Sequence, residues 1–236
     1  METLLFLISD GSDVLVKIFR DHTSSSLNEA QFYELMNKCS GTEHFFQLYP
    51  GLFASDEVRL TWLSFMPKFY GRRVLKDDEI ILIENLVSSR NNSACAMDLK
   101  IGQFNAPQEN ADSFNRKLAK FPLREKIGFS LDGIYIHEKK IKKSKQECRA
   151  LSCESIFDLL KAYVTPKKDL NVDLINALLK KLNILKELIG DANNRFRLYS
   201  ASLLVVYDSS SYCDLASTLR VSIIDFEHTK IVEKPC

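Results

Sequence analysis

The sequence predicts an α+β protein in two lobes. Three observations carry that expectation: short apolar runs that alternate like strands, longer runs with helical period, and a polar, asparagine-rich stretch at 85–93. The order β-β-α-β, then the linker, then mixed helix and strand, sets the division at 1–84, 85–93 and 94–236, with a cleft between the lobes.

The elements follow in chain order. Leu4–Ile8 and Val14–Phe19 are apolar runs joined by Asp10-Gly11-Ser12-Asp13, and Asp-Gly tolerates the positive φ of a hairpin turn. Ser24–Ser26 offer N-caps for a helix over Leu27–Cys39, whose Ala30, Tyr33, Met36 and Cys39 recur every three residues. Ile80–Ile83 reads as a strand after the charged turn at Lys76–Glu79. Ala94–Ile101 alternates: Cys95, Met97, Leu99 and Ile101 face one way, Ala94, Ala96, Asp98 and Lys100 the other. A basic helical stretch at about Ser113–Lys120 follows, and then a strand over Leu131–His137. Ser152 caps a helix to Tyr163, and Asn171 caps a longer one to Ile189, with Gly190 as its expected left-handed stop. Arg197–Asp208 and Leu219–Phe226 read as the last strands.

Composition removes several function classes. Among 236 residues, 45% are hydrophobic and 27% charged, which is globular rather than disordered. Lys+Arg 32 against Asp+Glu 31 leaves a net charge of +1, so no whole-molecule field favours nucleic acid or an anionic membrane. The 6 cysteines lack a C-x-x-C pair or zinc-like spacing, as expected of free thiols in a reducing compartment. The apolar run near the N-terminus is short and lacks a basic leader, and no stretch has the roughly 18 apolar residues of a membrane span. The expectation is a soluble intracellular protein, cytoplasmic or nuclear. Oligomeric state is unconstrained.

Four constellations carry possible chemistry. Asp98 and Lys100, two apart on a strand, share a face; they are either a surface ion pair or an acid and amine presented to a ligand. Asp225 follows an apolar strand and precedes an aromatic residue, which suits a hard oxygen ligand for Mg²⁺ or, more plainly, a strand-end cap. Lys17 on an early strand and Glu29 on the next helix match the arrangement kinases use on α- and β-phosphates; two unrelated solvated charges fit the spacing equally. Arg116, Lys117 and Lys120 lie within a helical turn or so, either as a solvated face or as a clamp for several phosphates. The run Lys139–Lys145 reads as a solvated loop. A Walker loop, a kinase glycine loop and a His-Arg-Asp catalytic loop are all missing, which makes an ordinary protein kinase a poor fit.

Three stretches together resemble one family. Ala94-Cys95-Ala96-Met97-Asp98-Leu99-Lys100-Ile101-Gly102 is similar to the P-x-x-x-D-x-K-x-G signature of the inositol polyphosphate kinases, of multikinase and hexakisphosphate-kinase type. Ser202-Leu203-Leu204 resembles the family's Ser-Leu-Leu strand, and Ile224-Asp225-Phe226-Glu227-His228-Thr229 its Ile-Asp-Phe-Ala-His-Thr ending. Glu29–Glu34, Pro67–Gly71, Ile83–Leu86 and Phe121–Phe129 bridge them in family order.

The resemblance implies a distantly protein-kinase-like fold with an ATP-grasp-like cleft, antiparallel sheets in both lobes, and a short inositol-phosphate-binding helical segment at about 107–127. It implies that Lys17 contacts ATP phosphates with Glu29 supporting it, and that backbone groups of Glu84 and Leu86 take the adenine edge. Asp98 holds ribose or substrate hydroxyls, Lys100 meets the transferred phosphate, and Asp225 binds Mg²⁺. Arg116, Lys117 and Lys120 grip inositol phosphates, joined by His228. Ala94 departs from the signature proline, Glu227 from the alanine beside the metal aspartate, and Ser113 from a lysine frequent in multikinases. The sequence stops at Cys236, soon after the last motif and short of the terminal helical segment of many relatives, so the expectation is either a minimal C-terminal lobe or a sequence that is itself cut short. The implied activity is ATP-dependent phosphorylation of an inositol polyphosphate hydroxyl or phosphate. The rival reading is a catalytically silent inositol-phosphate or nucleotide-binding module.

Overall fold

Among the described residues, alternating apolar residues build two large antiparallel sheets beside a two-stranded pair, and the helices grow from the segments between their strands. The computed structural model describes residues 5–7, 13–19, 29–75, 78–88, 93–102, 123–210 and 214–232. By contact the chain forms two compact units, one of 1–89, 184–198 and 225–236, the other of 90–183 and 199–224. The polar linker alone suggested consecutive blocks; here two late segments group with the first stretch.

In the first unit, β1 (Leu5–Leu7), β2 (Val14–Phe19), β3 (Phe69–Leu75) and β4 (Asp78–Glu84) form a sheet of order β1-β2-β4-β3. The hairpin register Leu5↔Lys17, Leu7↔Leu15 agrees with the Asp-Gly turn signal. Against this unit's core packs α1 (Glu29–Met36), which buries Ala30, Phe32, Tyr33, Leu35 and Met36. Helix α1 is shorter than its periodicity suggested, because Lys38 turns into the left-handed region at φ 52° and Cys39 leaves the helix. Arg59 donates to Met36 O at 2.7 Å and so satisfies an orphan carbonyl at that end.

In this unit two helices escaped the sequence reading, α2 (Glu43–Leu48) and α3 (Asp56–Ser64). The second had a legible start, since Ser55 caps Val58 N at 3.2 Å ahead of Asp56 and Glu57. Aromatic packing explains why late segments join early ones. Phe226 stacks on Phe32 with centroids 4.5 Å apart, and Phe196 meets Phe32 edge-on at 5.3 Å and Trp62 at 5.7 Å. Such pairs contribute roughly 0.5–1.5 kcal/mol each beyond burial.

In the second unit, β5 (Ala94–Ile101) is the central strand of a five-stranded sheet with β6 (Phe129–Ile136), β7 (Ile141–Lys143), β9 (Ser202–Asp208) and β10 (Arg220–Ile224), in order β10-β9-β5-β6-β7. Short helices α4 (Arg124–Ile127) and α5 (Lys145–Arg149) flank β6 and β7, and α6 (Cys153–Tyr163) follows. The Tyr163 hydroxyl lies 2.8 Å from Val205 O and 3.3 Å from Cys95 O, while Tyr207 donates to Tyr163 O at 2.7 Å. These bonds pin α6 to β5 and β9.

Helix α7 (Val172–Gly190) starts where expected, with Asn171 Oδ1 accepting from Leu174 N at 2.8 Å. Its end differs. Gly190 stays helical, and Asn194 Nδ2 donates to Ile189 O at 2.9 Å, closing the terminus without a left-handed glycine. The run 197–208 is two strands, β8 (Phe196–Tyr199) and β9, broken at Ser200 with φ 60°. β8 leaves the large sheet and pairs with β11 (His228–Ile231). The last long strand stops at Ile224, because Asp225 takes φ 63°. The lysine run is also ordered: Ile141–Lys143 is the edge strand β7, and Ser144 and Glu147 make a capping box for α5. Lysine on an edge strand discourages further strand pairing.

Candidate active site

Three charged groups from three distant stretches meet in the first unit. Strand β2 carries Lys17, helix α1 begins with Glu29, and the turn after β10 supplies Asp225. Lys17 Nζ lies 2.5 Å from Glu29 Oε2 and 2.9 Å from Asp225 Oδ1. The side chains of Lys17 and Glu29 are 5% and 1% exposed, whereas Asp225 is 37% exposed. The ammonium is thus anchored from beneath by a buried carboxylate and presented beside an accessible one.

Hydrophobic packing sets this geometry. Fully buried Phe226 lies between Phe32 and Tyr33 of α1, 4.5 Å and 5.4 Å from their centroids. Its backbone N–H donates to the Glu29 carboxylate, and Thr229 N donates to Phe226 O at 3.0 Å, closing the turn. The preceding residue is thereby forced into its left-handed conformation and its carboxylate toward Lys17. Burial alone would lower the Lys17 pKa, but the carboxylates of Glu29 and Asp225 outweigh it and raise the pKa above its ordinary value. The ammonium therefore stays charged throughout the physiological range.

The second pair lies in the other unit. Asp98 and Lys100 are half-buried on one face of β5, beyond Ala94 and Ala96 as the alternation predicts. Asp98 stands opposite Leu204 and Gly133, and Lys100 opposite Ser202 and Ser130. A bulge in the β5–β6 ladder falls between Asp98 and Leu99. Fully buried Ser202 holds a hydroxyl with no hydrogen-bond partner among the described residues. Ser130 carried no sequence signal, because only strand register shows which residue stands across from Lys100.

Glu84 and Leu86 lie at the end of β4 and just beyond, where Glu84 N donates to Lys68 O at 2.8 Å and Lys68 N donates to the Glu84 carboxylate at 3.1 Å. Leu86 is buried. His228 is exposed at the start of β11, three residues past Asp225. Arg116, Lys117 and Lys120 lie outside the described residues, as does most of the 107–127 segment. Among the described residues no group of three or more His, Cys, Asp or Glu side chains could hold a metal ion. Any ion at Asp225 would need most of its oxygens from a ligand, which is how Mg²⁺ is commonly bound with nucleotide phosphates.

A buried lysine charge beside an exposed carboxylate, on a turn that reads Ile-Asp-Phe, is compatible with phosphate chemistry, and comparison with known proteins decides the family. The family model for inositol polyphosphate kinase matches residues 80–236. The chain belongs to the inositol polyphosphate kinase family. It is 28% identical over 164 residues to human inositol polyphosphate multikinase, covering 66% of this chain and 39% of that one. It is 30% identical over 149 residues to rabbit (Oryctolagus cuniculus) inositol hexakisphosphate kinase 2, covering 58% and 34%. The matched stretch thus spans less than half the length of these relatives. Among solved structures it resembles the inositol phosphate multikinase Ipk2 of S. cerevisiae, determined with ADP and Mn²⁺, at a TM-score of 0.58 and 18% identity over 74% of this chain and 83% of that one. A second inositol phosphate multikinase structure gives 0.57 at 19% identity, covering 86% and 88%. These likenesses show the fold, which has the antiparallel sheets in both units that the resemblance implied.

Proposed function

We propose that this chain is an ATP-dependent inositol polyphosphate kinase, moving the γ-phosphoryl group to a hydroxyl or phosphate of an inositol polyphosphate. The observation that carries the reading is the Lys17 ammonium held between buried Glu29 and accessible Asp225. Family membership supports it.

Phosphoryl transfer asks a protein for positioning and charge neutralisation more than for covalent chemistry. Lys17 supplies a fixed point charge for ATP phosphates, and Glu29 keeps it aimed. Asp225 is the candidate ligand for a divalent ion, Mg²⁺ in this reading; its carboxylate is hard, accessible and on a braced turn, which suits that ion. When bound, the ion would neutralise phosphate charge. Asp98 serves ribose or substrate hydroxyls, and Lys100 meets the transferred group. Backbone groups of Glu84 and Leu86 take the adenine edge. Arg116, Lys117, Lys120 and His228 grip substrate phosphates, a use in which neighbouring cations are an advantage. The free thiols at Cys39, Cys95, Cys148 and Cys153 support an intracellular site of action, cytoplasmic or nuclear.

The test is a panel of inositol polyphosphates incubated with protein and MgATP, with products identified by chromatography and mass. Wild type should give more phosphorylated products with matching ADP release. Lys100→Ala and Asp225→Asn should each lose roughly 100-fold or more in turnover, the size of a lost transition-state contact, while both remain folded. Wild-type rates in both variants, or binding of nucleotide and substrate with no ADP release, would overturn the reading.

A further inference from the structure

The structure assigns Arg124 as a positioning residue for Lys100, acting through the two peptide groups that end β5. The inference rests on the role given to Lys100 above.

Arg124 opens the single-turn helix α4 and is 2% exposed. Its guanidinium donates from Nε to Gly102 O at 2.6 Å and from Nη2 to Ile101 O at 2.7 Å. These are consecutive carbonyls, and they belong to the two residues immediately after Lys100. A planar fork that engages both fixes the orientation of two successive peptide planes, which a lysine could not do. Ile101 N also donates to Ala201 O at 3.2 Å, so the clamp acts on a strand end already held from the β9 side. Gly102 then turns into the left-handed region at φ 82°. The exit of the strand is thus shaped directly beside the lysine that meets the phosphate.

A buried guanidinium is expensive unless charge is arranged around it. Burial pulls the Arg124 pKa down, and the Asp132 carboxylate opposes that shift. Asp132 is itself buried and is held by Lys145 Nζ at 2.6 Å and, more loosely, by Ser130 Oγ at 3.4 Å. It falls at the irregularity in the β5–β6 ladder, where Asp98 faces Gly133 and Leu99 faces Leu131, so Asp132 is the residue left without a register partner. Asp132, held by Lys145, thus braces the buried Arg124 guanidinium electrostatically from the strand that pairs with the one carrying Asp98 and Lys100. The peptide planes that follow Lys100 help to set where its side chain leaves the strand, and an error of about 1 Å in a positioning group can cost on the order of 100-fold in rate.

The test compares Arg124→Met and Arg124→Lys with Tyr163→Phe, which loosens the same unit at the Cys95 and Val205 carbonyls. Two readouts are taken on each whole protein: the acylation rate of Lys100 relative to Lys17, followed by mass spectrometry, and kcat and KM with MgATP. Arg124→Met should acylate Lys100 several-fold faster than wild type and lower kcat roughly 10- to 100-fold, with KM values within about threefold. Arg124→Lys, with a single point charge, should fall between the two. Tyr163→Phe should lower Tm without either effect. If Arg124→Met matches wild type in Lys100 acylation, or if Tyr163→Phe reproduces its losses, the positioning role is overturned. Should Arg124→Met fail to fold, Arg124→Lys and Lys145→Met carry the same comparison. The acylation result stands even if wild type has no kinase activity, so a failed kinase reading and a failed positioning role are told apart.

Discussion

Lys17 and Lys100 are both lysines on strands, yet the protein holds them by opposite means. Lys17 is nearly enclosed, gripped by carboxylates from two segments remote in sequence, and its own burial is part of the fold. Lys100 is half-exposed on a central strand whose end is held by Arg124 through the carbonyls of Ile101 and Gly102. The difference teaches that two lysines on strands can differ widely in what they cost the fold. A buried charge network is a folding element in its own right, whereas a half-exposed lysine on a strand face contributes less to the fold.

The sharpest way to break that comparison is to remove each charge. Lys17→Met leaves the Glu29 carboxylate buried without its cation, which should lower unfolding free energy by about 3–5 kcal/mol. Lys100→Met should change it by less than about 1 kcal/mol. Urea unfolding read by fluorescence checks both, and the double variant Lys17→Met/Glu29→Leu should recover much of the loss. Equal midpoints for the two single lysine variants would contradict the distinction.

A smaller effect sharpens it from the side of the second unit. Tyr163→Phe removes the hydroxyl shared between Cys95 O and Val205 O beneath β5, at a cost of about 1–3 kcal/mol. Because Cys95 lies on β5 and Val205 on β9, faster amide exchange should appear around those two residues while β2 and β4 keep their protection. Equal loss of protection in both sheets would mean that the units do not open separately.

The smallest expected effect concerns the brace near Lys145. Backbone and side-chain hydrogen bonds from Ser144 hold the Glu147 carboxyl below the usual carboxylate range. A depressed folded pKa stabilises above the unfolded value, near 4.3, and that contribution disappears as pH falls through the folded pKa. Thermal unfolding of Glu147→Gln against wild type should therefore differ at pH 6–7 and converge in acid. A difference that grows on acidification would refute the capping-box origin.

Much of the fold was legible. Ala94–Ile101 alternates in the sequence and forms a strand with those bounds, and the Ser152 and Asn171 caps start their helices. Misreadings cluster where chain direction depends on distant partners. Gly190 looked like a helix stop, but Asn194 closes the helix instead. The 139–145 run looked like a loop because its charges hide a strand that only β6 completes. Ser200 and Asp225 take left-handed backbone that their residue types do not announce.

Residue order by itself determined strands β2 and β5, the starts of α6 and α7, the family motifs and the shared face of Asp98 and Lys100, because each depends on periods and caps spanning a few residues. Only tertiary structure decided that Glu29 is buried, that Asp225 bends toward Lys17, and that Arg124 clamps the end of β5. Those facts depend on where Phe226 packs and on which carbonyls a guanidinium can reach, and such contacts join residues that no local pattern connects.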